Sequence, residues 1–286
     1  MKKYFSLVLF AHSIFAMPFA MIGFFLGVTT TDKPFNWLLL ALVVLCMVFA
    51  RNAAMAFNRY LDRNIDAKNP RTSMRDIPAG KISASSALTF VVINCILFVA
   101  TTAFINNLCL YLSPVALFVV LFYSYTKRFT ALCHMVLGLG LSLAPIGAYI
   151  AVTGEFGIVP VLYSFAVFFW SSGFDIIYAL QDDAFDKEEQ LHSIPAALGR
   201  KNALNLSVFL HVLSALCVIT TLFFIPFTWI YYLGIAFFCG MLIYQHLLVK
   251  PNDISKVNKA FATTNGYASV VFALCFLIDA LFRTNF

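Results

Sequence analysis

Charge is scarce in this chain. Asp, Glu, Lys and Arg make up only 11% of its 286 residues, whereas 62% are hydrophobic; ordinary soluble domains are about a quarter charged. So little charge on so apolar a chain excludes a soluble fold built around one core. Cysteine pairing is missing too. Cys46, Cys95, Cys109, Cys133, Cys217, Cys239 and Cys275 stand singly, mostly inside apolar stretches, with no CxxC and no Cys/His cluster. Neither a zinc site nor a disulfide framework is suggested, and such cysteines read as small hydrophobes. The histidines, His12, His134, His192, His211 and His246, share no short helical spacing. They read as structural or interfacial residues rather than ligands.

What the sequence does have is long apolar runs. Nine can be traced: Leu7 to Val28, Trp37 to Phe57, Ala84 to Phe104, Cys109 to Tyr123, Leu132 to Val152, Ile158 to Leu180, Ala203 to Phe224, Trp229 to Val249, and Thr264 to Phe282. Most approach the roughly 20 residues that a helix needs to cross a bilayer. The first exceeds the ~7–15 residues of a signal-peptide core, so it reads as a retained helix. The expected fold is all-α: a polytopic membrane protein with nine transmembrane helices.

The basic residues orient it. With the N-terminus inside, the cytoplasmic joints hold Lys2, Lys3, Lys68, Arg71, Arg75, Lys81, Lys127, Arg128, Lys187, Arg200, Lys201, Lys250, Lys256 and Lys259, while the outer segments hold only Lys33 and Arg283. That asymmetry is the positive-inside bias. It predicts a cytoplasmic N-terminus, an outer C-terminus and residence in a bacterial-type cytoplasmic (inner) membrane. The net charge of +6 follows from this topology. It is matched to anionic lipid headgroups and implies no nucleic acid; no obligate protein partner is implied either.

The acidic residues gather in two places. "NRYLDRNID" places Asn58, Asp62 and Asp66 four residues apart at the end of the second run. Residues so spaced on a helix share one face. "SSGFDIIYALQDDAFDKEEQ" repeats the plan with Tyr178, Asp182 and Asp186. "DIPAG" (Asp76 to Gly80) is then echoed by "SIPAA" (Ser193 to Ala197). The pattern predicts one transmembrane domain with a diverged internal repeat, about residues 1–125 and 126–286. Arg51 and Asp175 each precede a cluster by seven residues, nearly two helical turns. They are expected on the same faces, about 10 Å deeper at 1.5 Å per residue.

One carboxylate at a helix end merely meets water. Two same-face pairs on one side of the membrane, with charged companions below them, are a stronger signal, because charge within a membrane is expensive and usually functional. Oxygen-only donor sets suit hard divalent ions, and Mg²⁺ commonly takes one or two carboxylates plus substrate phosphates. Two facing clusters are expected to clamp a Mg²⁺-bridged diphosphate, with Arg63, Arg71, Lys127 and Arg128 neutralising its remaining charge. A polar head at the membrane face above an apolar bundle fits an isoprenyl diphosphate. Mg²⁺ would stabilise the leaving group as the C–O bond ionises. The 32 Phe and 12 Tyr offer ring faces to an allylic cation.

At these residues the chain resembles the UbiA superfamily of intramembrane aromatic prenyltransferases, along almost its whole length. "NRYLDRNID" is similar to the first Asp-rich motif, NxxxDxxxD, and "DIIYALQDDAFD" to the second, with its DxxxD core. "YSYTKRFT" (Tyr123 to Thr130) resembles the basic segment between the fourth and fifth helices. "HSIFAMPFA" (His12 to Ala20) resembles the first-helix signature of the 4-hydroxybenzoate polyprenyltransferase branch. The resemblance implies nine helices around a central cavity open to the cytoplasmic side. In it Asn58, Asp62, Asp66, Asp182 and Asp186 are the Mg²⁺–diphosphate ligands and Lys127 and Arg128 hold diphosphate oxygens. Arg51 pairs with the acceptor's carboxylate, and Asp175 sits by the acceptor to orient its phenol or accept a proton. Arg59 stands where many relatives carry an acid, so no extra ligand is expected there.

The tracts from Ala50 to Gly80 and from Leu180 to Gly199 resemble a subgroup associated in part with the futalosine route to menaquinone. The implied acceptor is therefore a hydroxylated aromatic acid, 4-hydroxybenzoate or 1,4-dihydroxy-6-naphthoate, and the donor a polyprenyl diphosphate. Two other readings stand beside it. An ion-coupled transporter also uses repeats, but places its binding groups near the midplane rather than at one face. A prenyltransferase with another acceptor, such as haem, a chlorophyllide or another quinone ring, would keep the chemistry and change the pocket.

Overall fold

Between Trp37 and Lys68 the chain forms a single helix of 32 residues, about 48 Å long at 1.5 Å per residue. The hydrocarbon layer is only about 30 Å thick. The last turns of this helix, which carry "NRYLDRNID", therefore project beyond the apolar layer. The computed structural model describes residues 15–31 and 34–284. The start of the first apolar run, with His12, lies outside the described residues, as do Asp32 and Lys33.

The elements are α1 (Met17–Thr30), α2 (Trp37–Lys68), α3 (Ala84–Ala103), α4 (Asn107–Thr126), α5 (Cys133–Thr153), α6 (Ile158–Ala179), the short α7 (Asp183–Glu188), α8 (Ile194–Thr220), α9 (Trp229–Leu248) and α10 (Asn265–Thr284), the last preceded by a π-helical turn, Lys259–Thr264. Among the described residues eight helices are long and apolar enough to cross a membrane, and α1 is a shorter apolar ninth. Side-chain caps set several starts: Asn36, Ser83 and Asn106 accept from the backbone N–H of Leu39, Ser86 and Cys109. These satisfy donors that a helix cannot pair internally.

The bundle is all-α and its middle is aromatic. Phe19 of α1, Tyr163, Trp170 and Phe174 of α6, Tyr231 and Phe238 of α9, and Phe272 and Phe276 of α10 form one buried cluster. The polar atoms of that cluster are paired: Trp170 Nε1 donates to Asn265 Oδ1 at 2.9 Å, and the Tyr163 and Tyr231 hydroxyls lie 2.7 Å apart. Unpaired, each would cost several kcal/mol without water to bond. The outer surface carries exposed Trp37, Ile96, Phe118 and Leu247, as a lipid-facing surface requires. The protein is an integral membrane protein.

Two expected boundaries move. The helix expected from Ala203 starts at Ile194 and bends at Gly199, whose φ of 76° is left-handed and suits glycine alone. The helix expected to carry Asp182 and Asp186 stops at Ala179.

α1 approaches α5 through Gly23. A Cβ there would lie 2.0 Å from the Pro145 carbonyl oxygen, whereas one at Gly147 would meet nothing within 4 Å. Gly23→Ala is expected to destabilise the purified protein by about 1–3 kcal/mol, the usual cost of overpacking. Gly147→Ala should leave the thermal midpoint in detergent unchanged or slightly higher.

Candidate functional site

Four helix ends meet at one end of the bundle: the C-termini of α2, α4 and α6 and the N-terminus of α5. Between them opens a cavity of about 630 Å³, lined among others by Arg51, Asn58, Asp62, Asp66, Arg71, Lys127, His134, Asp175, Tyr178, Asp182 and Asp186. Both acidic clusters and both deeper charged residues thus share one space. A second cavity of about 350 Å³, almost wholly apolar, continues from it between α2, α3, α4 and α5 and shares Arg51, Met55, Tyr123, Leu137 and Leu141 with the first.

The carboxylates of α2 are buried, Asp62 to 2% exposure and Asp66 to 4%. Asp62 is held by three donors: Lys127 Nζ at 2.5 Å, Arg128 Nη2 at 2.9 Å and Asn58 Nδ2 at 3.1 Å. Lys127 and Arg128 follow directly from α4, so the basic segment closes over the first acidic cluster. Arg128 also donates to the carbonyls of Leu61 and Ser124, tying α2 to α4. Asp66 takes Arg75 Nη1 on Oδ1 at 2.7 Å, while its Oδ2 is buried with no hydrogen-bond partner among the described residues.

The second cluster is built differently from its expected helical stripe. α6 ends at Ala179, and Asp182 is the residue before α7 rather than a continuation of the face bearing Tyr178. The break turns Asp182 towards the loop after α2. There Arg71 grips both carboxylate oxygens through Nε and Nη2, Asn69 Nδ2 donates to Oδ1 at 3.0 Å, and Arg71 Nη1 reaches the Tyr178 hydroxyl at 3.0 Å. Lys68 and Glu189 add a further bridge between these loops. Burial, with Asp182 close by, pushes the Asp186 carboxyl above its ordinary range against a lowering bond from Ser193. Asp183, one residue from Asp182, belongs to another arrangement: Arg200 holds it in a two-bond fork and keeps its carboxyl below the usual range.

Below this rim lie Arg51 and Asp175. Arg51 has no carboxylate partner among the described residues, and its Nε is buried and unbonded. Asp175 is paired with His134, Nδ1 to Oδ2 at 2.6 Å. That histidine read as structural in the sequence because its partner is 41 residues away and no spacing rule links them. Arg63 corrects the expectation in the other direction. It bonds the Tyr60 carbonyl of its own helix and lies over the Tyr60 ring; neither it nor Arg128, which bonds Asp62 from behind, is in the cavity lining.

The donor set is chemically suited to magnesium. Its oxygens come from Asn58, Asp62, Asp66, Asp182 and Asp186, and the bare buried oxygen of Asp66 is the kind of atom a cation would satisfy. Among the described residues no three His, Cys, Asp or Glu side chains form a metal cage by themselves.

Comparison with known proteins agrees with the architecture. The model of the UbiA prenyltransferase family matches residues 16–274. A 4-hydroxybenzoate octaprenyltransferase of Aliivibrio fischeri (strain MJ11) is 30% identical over 240 residues, covering 83% of this chain and 82% of its own. One from Nitrosomonas europaea is 30% identical over 252 residues, covering 87% and 84%. Among solved structures, the apo UbiA homolog from Aeropyrum pernix K1 superposes with a TM-score of 0.84 at 30% identity, over 94% of this chain and 98% of that one. A UbiA homolog from Archaeoglobus fulgidus bound to GPP and Mg²⁺ gives 0.71 at 22% identity, over 97% and 99%.

Because Asp62 has two cationic partners, Lys127→Leu or Arg128→Leu alone leaves it one cation and should cost less than half of what the double change costs. The double variant strands a buried carboxylate and should cost about 3–5 kcal/mol. Thermal melts in detergent will show this excess over the sum of the single effects, and simple additivity would contradict shared neutralisation.

Proposed function

The chain belongs to the UbiA prenyltransferase family, and from that premise we propose that it transfers a polyprenyl group from an allylic polyprenyl diphosphate to a hydroxylated aromatic acid, with Mg²⁺ as cofactor. As a prenyltransferase it is an enzyme, which removes the ion-coupled transporter reading. The names of its relatives support 4-hydroxybenzoate as acceptor; 1,4-dihydroxy-6-naphthoate is the second candidate, since it too carries a carboxylate and ring hydroxyls. The observation that carries the proposal is the layering of one cavity: a carboxylate rim at its mouth, an unpaired buried guanidinium below, and an apolar chamber continuing past it.

Asn58, Asp62, Asp66, Asp182 and Asp186 would hold the metal, which supplies fixed positive charge to the departing diphosphate. Lys127, Arg128 and Arg71 hold the oxygens the metal leaves free, each already within reach of a rim carboxylate. The prenyl tail lies in the apolar chamber or between helices, where its CH₂ groups stay out of water. Arg51 binds the acceptor's carboxylate, an anion that the buried guanidinium lacks among the described residues. Asp175 faces the acceptor's hydroxyl. The donor's C–O bond breaks with its electron pair leaving on the diphosphate, a ring π pair forms the new C–C bond, and the proton lost from that ring carbon restores aromaticity.

The carboxylate rim faces the cytoplasm in this reading, with the N-terminus inside and the C-terminus outside an inner membrane, in line with the basic joints. We also read the two halves as diverged repeats. In each half an acidic cluster is followed by an echoed segment, "DIPAG" (Asp76 to Gly80) and "SIPAA" (Ser193 to Ala197).

Purified protein with Mg²⁺, one prenyl diphosphate and either acceptor should form prenylated aromatic acid without any ion gradient. EDTA should abolish the product and Mg²⁺ restore it. Asp62→Ala and Asp182→Ala should lose product while still eluting as folded protein. Unchanged turnover in both variants would remove the metal–diphosphate assignment.

A further inference from the structure

The pair formed by His134 and Asp175 is not accounted for by the metal–diphosphate rim. His134 is the second residue of α5 and is buried to 4% exposure. Its two ring nitrogens face different partners. Nδ1 lies 2.6 Å from Asp175 Oδ2, and Nε2 lies 3.3 Å from the backbone nitrogen of Ile194. Ile194 is the first residue of α8, so its N–H has no acceptor within its own helix. A backbone N–H can only donate. Nε2 must therefore present a lone pair, which places the single ring proton on Nδ1, where it is donated to Asp175.

The surroundings hold this arrangement in place. The backbone N–H of His192 donates to the Lys127 carbonyl at 2.7 Å, and Cys133 Sγ donates to the His192 carbonyl at 3.4 Å. Ser193 caps α8 through the N–H of Ala196. The "SIPAA" segment is thus stitched to the basic segment and to the start of α5, and the imidazole is the innermost of these links. For Asp175, whose side chain is 20% exposed, the result is one oxygen occupied and one without a partner among the described residues. Asp175 lines the polar cavity.

We propose that His134 is a positioning residue for prenyl transfer: the N–H of Ile194 fixes its neutral Nδ1–H tautomer, and that N–H in turn fixes Asp175 with its second oxygen open to the acceptor. The inference rests on the proposed role of Asp175 and adds to it a group that touches no substrate. A residue acting only through packing would need neither the donor nor the tautomer.

The test uses the full chain in detergent with Mg²⁺, a prenyl diphosphate and whichever of the two aromatic acids the wild type converts. His134→Phe keeps the ring's bulk and removes the donor. It should lower kcat by about ten- to a hundredfold, the range for partners that orient a functional ligand, with the KM for prenyl diphosphate unchanged. His134→Asn, which keeps an N–H near the Nδ1 position, should recover most of that loss. The double variant His134→Phe/Asp175→Asn should be no slower than Asp175→Asn, because both changes act on one carboxylate. Wild-type kcat in His134→Phe beside a crippled Asp175→Asn overturns the positioning role alone. Wild-type kcat in Asp175→Asn overturns the role of Asp175 and the inference with it. Should His134→Phe fail to fold, ¹⁵N-histidine NMR of the wild-type protein decides independently. A protonated Nδ1 with an unprotonated Nε2 supports the assignment, and a protonated Nε2 overturns it.

Discussion

Buried negative charge is the constraint around which this end of the bundle is organised. Asp62 and Asp66 lie one helical turn apart on α2, both nearly inaccessible, and Asp182 and Asp186 stand in the same cavity. Carboxylates so placed repel one another and lose hydration, so the fold must bring cations to them. It does so from separate parts of the chain. Lys127 and Arg128 arrive from the end of α4, Arg71 and Arg75 from the loop after α2. Each pair joins segments that are not joined by the helices themselves, so the charge pattern also fixes the positions of the loops.

Those loops then determine the depth of the cavity. The segment from Lys127 to His134 must reach Asp62 at one end and Asp175 at the other. The backbone pairing of Lys127 with His192 binds it to the entry of α8. The break after Ala179 has the same logic. A continuous helix would carry Asp182 onward with the face of Tyr178, whereas ending α6 turns it to Arg71 while Tyr178 still accepts from the same guanidinium. A local loss of helix is thereby offset by a charge-assisted, two-point hydrogen bond of the stronger kind.

Much of this was legible in sequence, and the limits have physical causes. The spans were readable because lipid demands long apolar helices, and the rim of the cavity because four-residue spacing on a helix has only one geometric meaning. α2 fulfilled that meaning without interruption. The second cluster did not, since nothing local in "ALQDDAFD" marks the stop; the partner that rewards it, Arg71, is 111 residues away. His134 was missed for the same reason. Arg63 was misplaced because charge alone does not say which face of a helix a long side chain will follow, and here it folds onto Tyr60.

Arg51 differs from Arg71, Arg75, Lys127 and Arg128, each of which is paired with a carboxylate, and the contrast bears on the proposed function. At the mouth, Asp62, Asp66 and Asp182 are already paired with side-chain cations; under the proposed function these carboxylates would hold the metal and the cations would turn to phosphate oxygens, so that partners are exchanged rather than charge created. Little net charge is buried in that exchange. Arg51 has no such partner to exchange. It sits at the junction of the polar and apolar cavities with its Nε unbonded, and a guanidinium there is stabilised only by an anion brought from outside. In the proposed reading the donor's diphosphate is held by the rim, two helical turns away. Under the proposed function the anion that completes Arg51 belongs to the second substrate, which is the physical reason for proposing a carboxylated ring rather than a neutral phenol as the acceptor.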